Sequence, residues 1–379
     1  MAADPIHFER HEIDAFPAGY QVAVADINGN GRPDVIALST AADRVDWYEN
    51  PGWQRRPIAR TTRNIDLAPF DVDGDGRLEI ALAAGFYFSD ATRGGNIQWL
   101  GRREDENEPW NVHPIAVDPD GHRLRWGDLD GDGRAELVHA PIFGPGSDAA
   151  RDPKPSHLWA FRIPADLDAA PSASPWDTWK IDETLTVLHG LHVGDLDGDG
   201  RDEILTGSFE GIHRFDFEGE GSTGTWRKVH ISPGHQPADA KPGTARGTSE
   251  IVPGNLGPGR PMLAAIEPWH GHQVVVYLPD EQDGWQRQVL DETLDEGHAL
   301  VVADFDGDGV DEIVAGWRGG QGGLVMYDPA DDGSRFTKVV IEQGITIDGA
   351  VAADINLNGK LDIVAISGRS NRVVWYENR

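Results

Sequence analysis

One short acidic loop, repeated along the chain, constrains this sequence more than any other feature. Asp71-Val-Asp73-Gly-Asp75-Gly-Arg-Leu-Glu79 recurs as Asp128-Leu-Asp130-Gly-Asp132-Gly-Arg-Ala-Glu136, as Asp195-Leu-Asp197-Gly-Asp199-Gly-Arg-Asp-Glu203, and as Asp304-Phe-Asp306-Gly-Asp308-Gly-Val-Asp-Glu312. Softer copies begin at Asp26, with Asn28, Asn30 and Asp34, and at Asp354, with Asn356, Asn358 and Asp362. A seventh, eroded copy lies at Gly254-Asn255-Leu-Gly-Pro-Gly-Arg-Pro, where the carboxylates are gone. Self-similarity at such spacing is the mark of a repeat architecture and takes precedence over any local reading.

Two further markers keep the same count. An apolar and aromatic stretch follows each loop, as in Val45-Asp-Trp47-Tyr48, Ile97-Gln-Trp99-Leu100, Leu158-Trp-Ala-Phe161, Ile212-His-Arg-Phe215, Val274-Val-Val-Tyr277, Leu324-Val-Met-Tyr327 and Val373-Val-Trp375-Tyr376. Alternation in several of these suits a half-buried strand. Then comes an aromatic followed five residues later by Ile or Leu: Phe8/Ile13, Trp53/Ile58, Trp110/Ile115, Trp176/Ile181, Trp226/Ile231, Trp285/Leu290 and Phe336/Ile341. Strand, acidic loop, strand, aromatic strand and outer strand make a four-stranded antiparallel unit, one propeller blade. The chain starts on an outer-strand marker and stops after a third-strand marker, so the N-terminal strand is expected to complete the last blade and remove an open edge. The expectation is all-β: a seven-bladed β-propeller over 1–379 as one domain, with repeats starting near 26, 71, 128, 195, 255, 304 and 354.

Composition excludes several functions. With 33 Lys+Arg against 64 Asp+Glu and a formal charge of −31, the chain would be repelled by nucleic acid and by anionic membranes, and neither partner is expected. There is no cysteine, hence no disulfide framework, thiolate nucleophile or Cys-ligated zinc. No Ser nucleophile motif, phosphate loop or His-Glu-x-x-His signature occurs. Met1-Ala2-Ala3-Asp4-Pro5 is not a basic segment leading into an apolar one, so the sequence as written predicts a cytoplasmic protein, or a secreted one if a signal was removed. Oligomeric state is left open.

Oxygen side chains at loop positions 1, 3, 5 and 9 suit a hard cation such as Ca²⁺, and glycines at positions 4 and 6 let the backbone curl around it. Tight Asx-type turns alone are the alternative. Up to six structural Ca²⁺ are expected, which would move the net charge to about −19. These loops resemble the FG-GAP/VCBS repeat found in integrin α-subunit heads, rhamnogalacturonan lyases and the propeller of fungal aldos-2-ulose dehydratase. The resemblance runs through all seven copies. It implies the propeller and the calcium, while that repeat serves adhesion, lectin-like and enzymatic proteins alike. The blade count and a His-rich mouth look most like the dehydratase propeller, which implies water elimination from keto- or anhydro-sugars.

Function is expected at the blade ends opposite the acidic loops. Six residues before each loop's first ligand stand Tyr20, Ile65 beside Asp66, His122, His189, Ser249 beside Glu250, His298 and Asp348. Equivalent positions in a repeat that differ in each copy are the pattern of a ligand site on a symmetric scaffold. Loops between second and third strands add Phe86-Tyr87-Phe88, His139 with Phe143, Phe209-Glu210, Trp269-His270, Trp317-Arg318 and Arg369. Aromatic faces mixed with Arg, His and carboxylates suit a sugar or oligosaccharide.

The leading expectation is therefore a carbon–oxygen lyase: a sugar dehydratase or polysaccharide lyase performing β-elimination on a keto- or anhydro-sugar or a uronate-containing glycan. His189, His298, His270 and Tyr20 are its candidate catalytic residues. His122, Tyr87, Glu210, Trp269, Trp317, Arg318, Arg369 and Asp348 are candidates for substrate binding. A further divalent cation such as Zn²⁺ or Mg²⁺ on the histidines would serve to hold enolate-like charge. His192, on the other face of its strand, is read as structural. The alternatives are a glycan-binding or adhesion propeller and a protein-interaction scaffold.

Overall fold

Asp34-Val-Ile-Ala-Leu-Ser39 and its counterparts carry apolar residues at consecutive positions, which suits a strand covered on both faces. The structure is a computed structural model describing residues 6–105, 107–167, 176–219, 221, 224–280, 284–330 and 333–379. In it Asp34–Ser39, Glu79–Ala84, Glu136–Pro141, Glu203–Ser208 and Asp362–Ser367 are strands buried along their whole length. Each opens on the ninth and last residue of an acidic loop.

The chain divides into two compact units, Ala59–Ile251 and Met1–Ile58 with Val252–Arg379. The first holds three four-stranded antiparallel sheets. One orders Asp66–Phe70, Glu79–Ala84, Asn96–Gly101 and Asn111–Val117. The next orders Gly121–Gly127, Glu136–Pro141, Leu158–Arg162 and Asp177–Asp182, and the third Gly190–Gly194, Glu203–Ser208, Gly211–Glu218 and Thr225–Ser232.

The second unit holds four such sheets. Gly19–Ala25, Asp34–Ser39, Arg44–Glu49 and Gln54–Ala59 form one. Glu250–Asn255, Pro261–Glu267, Gln273–Pro279 and Trp285–Asp291 form another, whose first strand begins two residues before the unit boundary. Gly297–Ala303, Glu312–Trp317, Gly323–Pro329 and Phe336–Gln343 follow. The last joins Gly349–Ala353, Asp362–Ser367 and Arg372–Asn378 to the N-terminal Phe8–Ala15, in register from Phe8 opposite Asn378 to Ala15 opposite Arg372. The fold class is thus the seven-bladed β-propeller that the repeat predicts, with the N-terminal strand completing the last blade.

Burial departs from the sequence pattern in the third strands. Their polar alternates are not solvent-facing: Asp46 is buried and accepts a hydrogen bond from Arg44 Nε at 2.6 Å, and Gln98 is buried too. Sheets packed on both sides leave no wet face there, so polar groups need internal partners; Asp46 has one in Arg44, whereas buried Gln98 Nε2 has none among the described residues. The third-strand tyrosines follow the same rule. Tyr48 Oη donates to Asp14 at 2.8 Å, Tyr327 Oη to Asp291 at 2.6 Å, and Tyr376 Oη to Glu342 at 3.4 Å. Each carboxylate belongs to the outer strand of the preceding blade, so the tyrosines latch neighbouring blades of this unit.

A second latch uses Asn50 and Asn378, which close two third strands. Asn378 Nδ2 donates to the carbonyls of Phe305, 2.7 Å away in the preceding blade, and of Leu361 at 3.1 Å. Asn50 does the same to Ile355 and Pro33. Asn378→Ala strips two carbonyls of their donor inside the protein and is expected to lower the free energy of unfolding by about 2 kcal/mol. Urea denaturation followed by tryptophan fluorescence reads this; an unshifted midpoint would mean that the latch contributes nothing.

Candidate functional site

Innermost strands begin where the register from the acidic loops places them. Tyr20, His122 and His298 stand second in Gly19–Ala25, Gly121–Gly127 and Gly297–Ala303, while His189 and Asp348 directly precede Gly190–Gly194 and Gly349–Ala353. Tyr20, His122 and His298 are also the residues skipped by a register shift in pairing with the second strand. A bulge of this kind re-aims a side chain. The preceding glycines are packed against neighbours: a Cβ on Gly297 would lie 2.9 Å from Ile266 Cγ2, and one on Gly19 2.6 Å from Ile366 Cγ1.

In the unit Met1–Ile58 with Val252–Arg379, His298 is the hub. Its Nδ1 is hydrogen-bonded to the backbone carbonyl of Asp348, and its Nε2 lies 3.1 Å from Tyr20 Oη. A carbonyl can only accept, so Nδ1 carries the proton, and in the neutral ring Nε2 accepts from the Tyr20 hydroxyl. His270 packs against His298 with ring centroids 5.3 Å apart and stacks on Trp269 at 4.5 Å. Arg318 Nη2 is 3.3 Å from His270 Nδ1. A guanidinium can only donate, so His270 Nδ1 is unprotonated and its neutral ring holds the proton on Nε2. The two imidazoles therefore have opposite tautomers. His270 has φ 46°, in the left-handed region, where a non-glycine residue stores roughly 1–3 kcal/mol.

Arg318 also approaches Asp348 Oδ1 at 3.8 Å and Glu296 Oε2 at 3.6 Å. Burial pushes the Asp348 carboxyl up from its ordinary value despite Arg318 and Arg369, and its Oδ2 accepts from the Gly368 amide at 2.7 Å. Arg369 donates to the Gly320 carbonyl at 3.2 Å. Trp317 ends its strand packed into the apolar core, where a Cβ on Gly323 would strike its ring.

In the unit Ala59–Ile251, His189 is fully buried. Its Nδ1 lies 3.0 Å from Glu250 Oε1 and 3.2 Å from the Ser249 carbonyl, and its ring is 4.7 Å from that of His122. Gly190 permits this approach, because a Cβ there would sit 2.8 Å from the Ser249 carbonyl oxygen. Arg123 Nη2 donates to the same Glu250 oxygen at 2.6 Å. The repeat register named Glu250 only as the neighbour of Ser249 and did not name Arg123, although each directly follows a counted position. Tyr87 lies between the loop arginines Arg63 and Arg93, whose guanidinium carbons are 4.4 and 4.0 Å from its ring centre. Glu210 accepts from the Thr186 amide at 2.8 Å and from its hydroxyl at 2.6 Å, and so anchors a loop. His192 is pushed by burial down to about 4, which leaves it neutral and fits the structural reading.

The acidic loops share one geometry. Asp71 takes the amides of Gly74 and Gly76, Asp128 those of Gly131, Asp132 and Gly133, and Asp304 those of Gly307, Asp308 and Gly309. Position 9 turns inward: Glu79, Glu136, Glu203 and Glu312 each accept from the amide of the second loop residue. Carboxylate oxygens of Asp71, Asp73 and Glu79 lie within 4.8 Å of one another, as do those of Asp128, Asp130 and Glu136, and of Asp195, Asp197 and Asp199.

In comparison with known proteins, the FG-GAP-like repeat model matches residues 26–82 and 304–365. Residues 94–280 match the model of the aldos-2-ulose dehydratase β-propeller domain, just under half of the chain. Aldos-2-ulose dehydratase of Phanerodontia chrysosporium is 23% identical over 295 residues, 72% of this chain and 31% of that protein, so the chain spans less than a third of that relative. Crystal structures of BBS1N in complex with ARL6DN, soaked with mercury or with lead, superpose with TM-scores of 0.59 and 0.60 at 10% identity, covering 98% and 99% of this chain and 96% and 97% of theirs. At that identity the likeness is one of fold alone.

Glu250 supplies a pH signature. Burial would raise its carboxyl, but Arg123 and His189 outweigh that and hold it at about 2, below the ordinary 4.5. A depressed carboxyl contributes stability that is complete above pH 4.5 and is lost as the pH falls toward about 2. The difference in unfolding free energy between the native chain and Glu250→Gln is therefore expected to shrink between pH 4.5 and 2. Urea titrations at a series of pH values measure it; a constant gap would contradict the assignment.

Proposed function

We propose that this protein is a carbohydrate-active lyase or dehydratase that performs β-elimination on a keto- or anhydro-sugar or a uronate-containing glycan. The opposite tautomers of His298 and His270 carry the reading, because β-elimination needs a base and a proton donor side by side. Similarity to the aldos-2-ulose dehydratase propeller supports the choice of a sugar.

In this reading His298 Nε2 removes the proton from the carbon next to a carbonyl or carboxylate. The freed electron pair forms the new carbon–carbon double bond and expels the β-oxygen, which takes a proton from Tyr20 Oη or from His270 Nε2 and leaves as water or alcohol. Arg318 steadies the enolate-like oxygen. His189, at the equivalent register position of its own blade, is a further acid–base group. Trp269 offers a ring face to the sugar, with Arg369 and Asp348 as further binding candidates of the same unit.

The expected result is a rise in ultraviolet absorbance from the unsaturated product with at least one sugar of a panel of ketosugars and uronates. His298→Ala is expected to cut kcat/KM by roughly 10²–10⁴-fold. Saturable binding without conversion anywhere in the panel would replace this reading with a glycan-binding propeller.

We also propose that the acidic loops hold Ca²⁺ as a structural ion, through Asp or Asn at positions 1, 3 and 5 and Asp or Glu at position 9; their all-oxygen donor sets fit a hard cation. Burial raises Asp34 to about 6, Glu79, Glu136 and Glu203 to about 7, and Glu312 to about 8 in the metal-free chain. A raised carboxyl favours folding only while protonated. Stability in EDTA is therefore expected to fall as the pH rises from the ordinary 4.5 through about 7 to 8. Ca²⁺ favours the ionised form, so the gap between melting temperatures in Ca²⁺ and in EDTA should widen from pH 5 to pH 8. A gap that does not grow would argue for plain turns.

A further inference from the structure

We propose that Glu250 is a positioning residue for His189: with Arg123 holding it, the carboxylate fixes the imidazole as its Nδ1–H tautomer and so presents an unprotonated Nε2. This rests on the acid–base reading of His189, but its central claim concerns a tautomer that can be observed without any substrate.

Oxygen Oε1 of Glu250 takes both contacts, Arg123 Nη2 at 2.6 Å and His189 Nδ1 at 3.0 Å. Arg123 is buried and His189 fully so. An arginine stays charged, and its donation to Oε1 keeps Glu250 ionised, as the strongly lowered carboxyl also indicates. The carboxylate thus only accepts. The Ser249 carbonyl, 3.2 Å from Nδ1, only accepts as well. The Ser249 hydroxyl, at 3.4 Å, can accept equally. With these neighbours around one nitrogen, the single proton of a neutral imidazole stays on Nδ1. Nε2, at the opposite edge of the ring, is then the atom that can take a proton.

Orientation is fixed by a second contact. The His122 ring packs tilted against that of His189, with centroids 4.7 Å apart at 42°, while the Nδ1 edge of His189 is pinned. His122 and Arg123 are consecutive, and the register shift between Gly121 and Arg123 falls on His122. One irregularity in one strand thus delivers both the ring that packs on His189 and the cation that holds its carboxylate. A buried ion pair is a poor source of stability in itself, since desolvation cancels much of the attraction. Carboxylate–imidazole pairing that sets tautomer and ring orientation is, by contrast, a recurrent way of preparing a histidine for chemistry.

The test uses the full chain labelled with ¹⁵N-histidine. Long-range ¹H–¹⁵N correlation spectra read the tautomer of each neutral imidazole, and the His189 signals are assigned by their loss in His189→Gln. The native chain is expected to show His189 as Nδ1–H. Glu250→Ala is expected to shift it toward a mixture with Nε2–H, and Glu250→Gln, whose amide oxygen still accepts, to restore the native form. An Nε2–H tautomer in the native chain, or a spectrum unmoved by Glu250→Ala in a protein whose other histidine signals show it folded, overturns the proposal.

On a converted sugar, Glu250→Ala should lower kcat about tenfold or more with little change in KM. Adding it to His189→Ala should cost nothing further, since a positioning residue acts only through the group it positions. Full additivity would overturn the proposal. If no sugar is converted while the tautomer shifts as stated, the lyase reading fails and the positioning role stands.

Discussion

Covering both faces of each blade's second strand is the constraint on which the rest of this structure depends. Strands such as Asp34–Ser39 and Glu79–Ala84 are buried end to end, and each fully buried Val, Ile or Leu contributes about 1.5–3 kcal/mol. That gain requires sheets packed face to face, and face-to-face packing penalises unpaired polar groups between them. The tyrosine hydroxyls on Asp14, Asp291 and Glu342 and the asparagine amides on neighbouring carbonyls satisfy this demand. They also fix how one blade sits on the next, so polar pairing supplies specificity where apolar burial supplies energy.

A scaffold held in this way can vary at its strand entrances without cost to the core. Positions inside the sheets repeat in kind, with an apolar second strand and an aromatic third strand. Tyr20, His122, His189, His298 and Asp348, at equivalent entrances, do not repeat, and their surroundings differ. His298 is held by a backbone carbonyl and meets a phenol. His189 is held by a carboxylate that an arginine shares. Register shifts at three of these positions separate the entrance from the regular ladder, so a side chain there answers to its neighbours rather than to the sheet.

Charge is distributed on the same plan. Much of the carboxylate excess sits in the repeated loops, at the ends of the sheets opposite the second-to-third-strand loops. There the buried position-9 carboxyls are pushed well above ordinary values, and a bound cation would relieve them. Arg63, Arg93, Arg318 and Arg369 lie instead on loops at the far ends of the sheets, beside rings and carboxylates. An acidic chain thus keeps local cationic character within each unit at the sheet ends away from the acidic loops.

Seven blades, their strand order and the N-terminal closure were legible because a repeat multiplies each weak local signal and the frame of the first and last markers leaves one way to pair them. The entrances of the first strands of the blades were legible for the same reason: they are counted from the loops. What each mouth residue touches was not. Glu250 and Arg123 lie 127 positions apart and meet on one oxygen, and the tautomers of His270 and His298 follow from Arg318 and from the Asp348 carbonyl. Nor did alternation reveal that third-strand polar groups such as Asp46 are buried, since that depends on a second covering sheet. The sequence alone determined the repeat, because periodicity is a property of the chain; only tertiary structure decided the proton positions and ring orientations, because hydrogen-bond partners from distant segments set them.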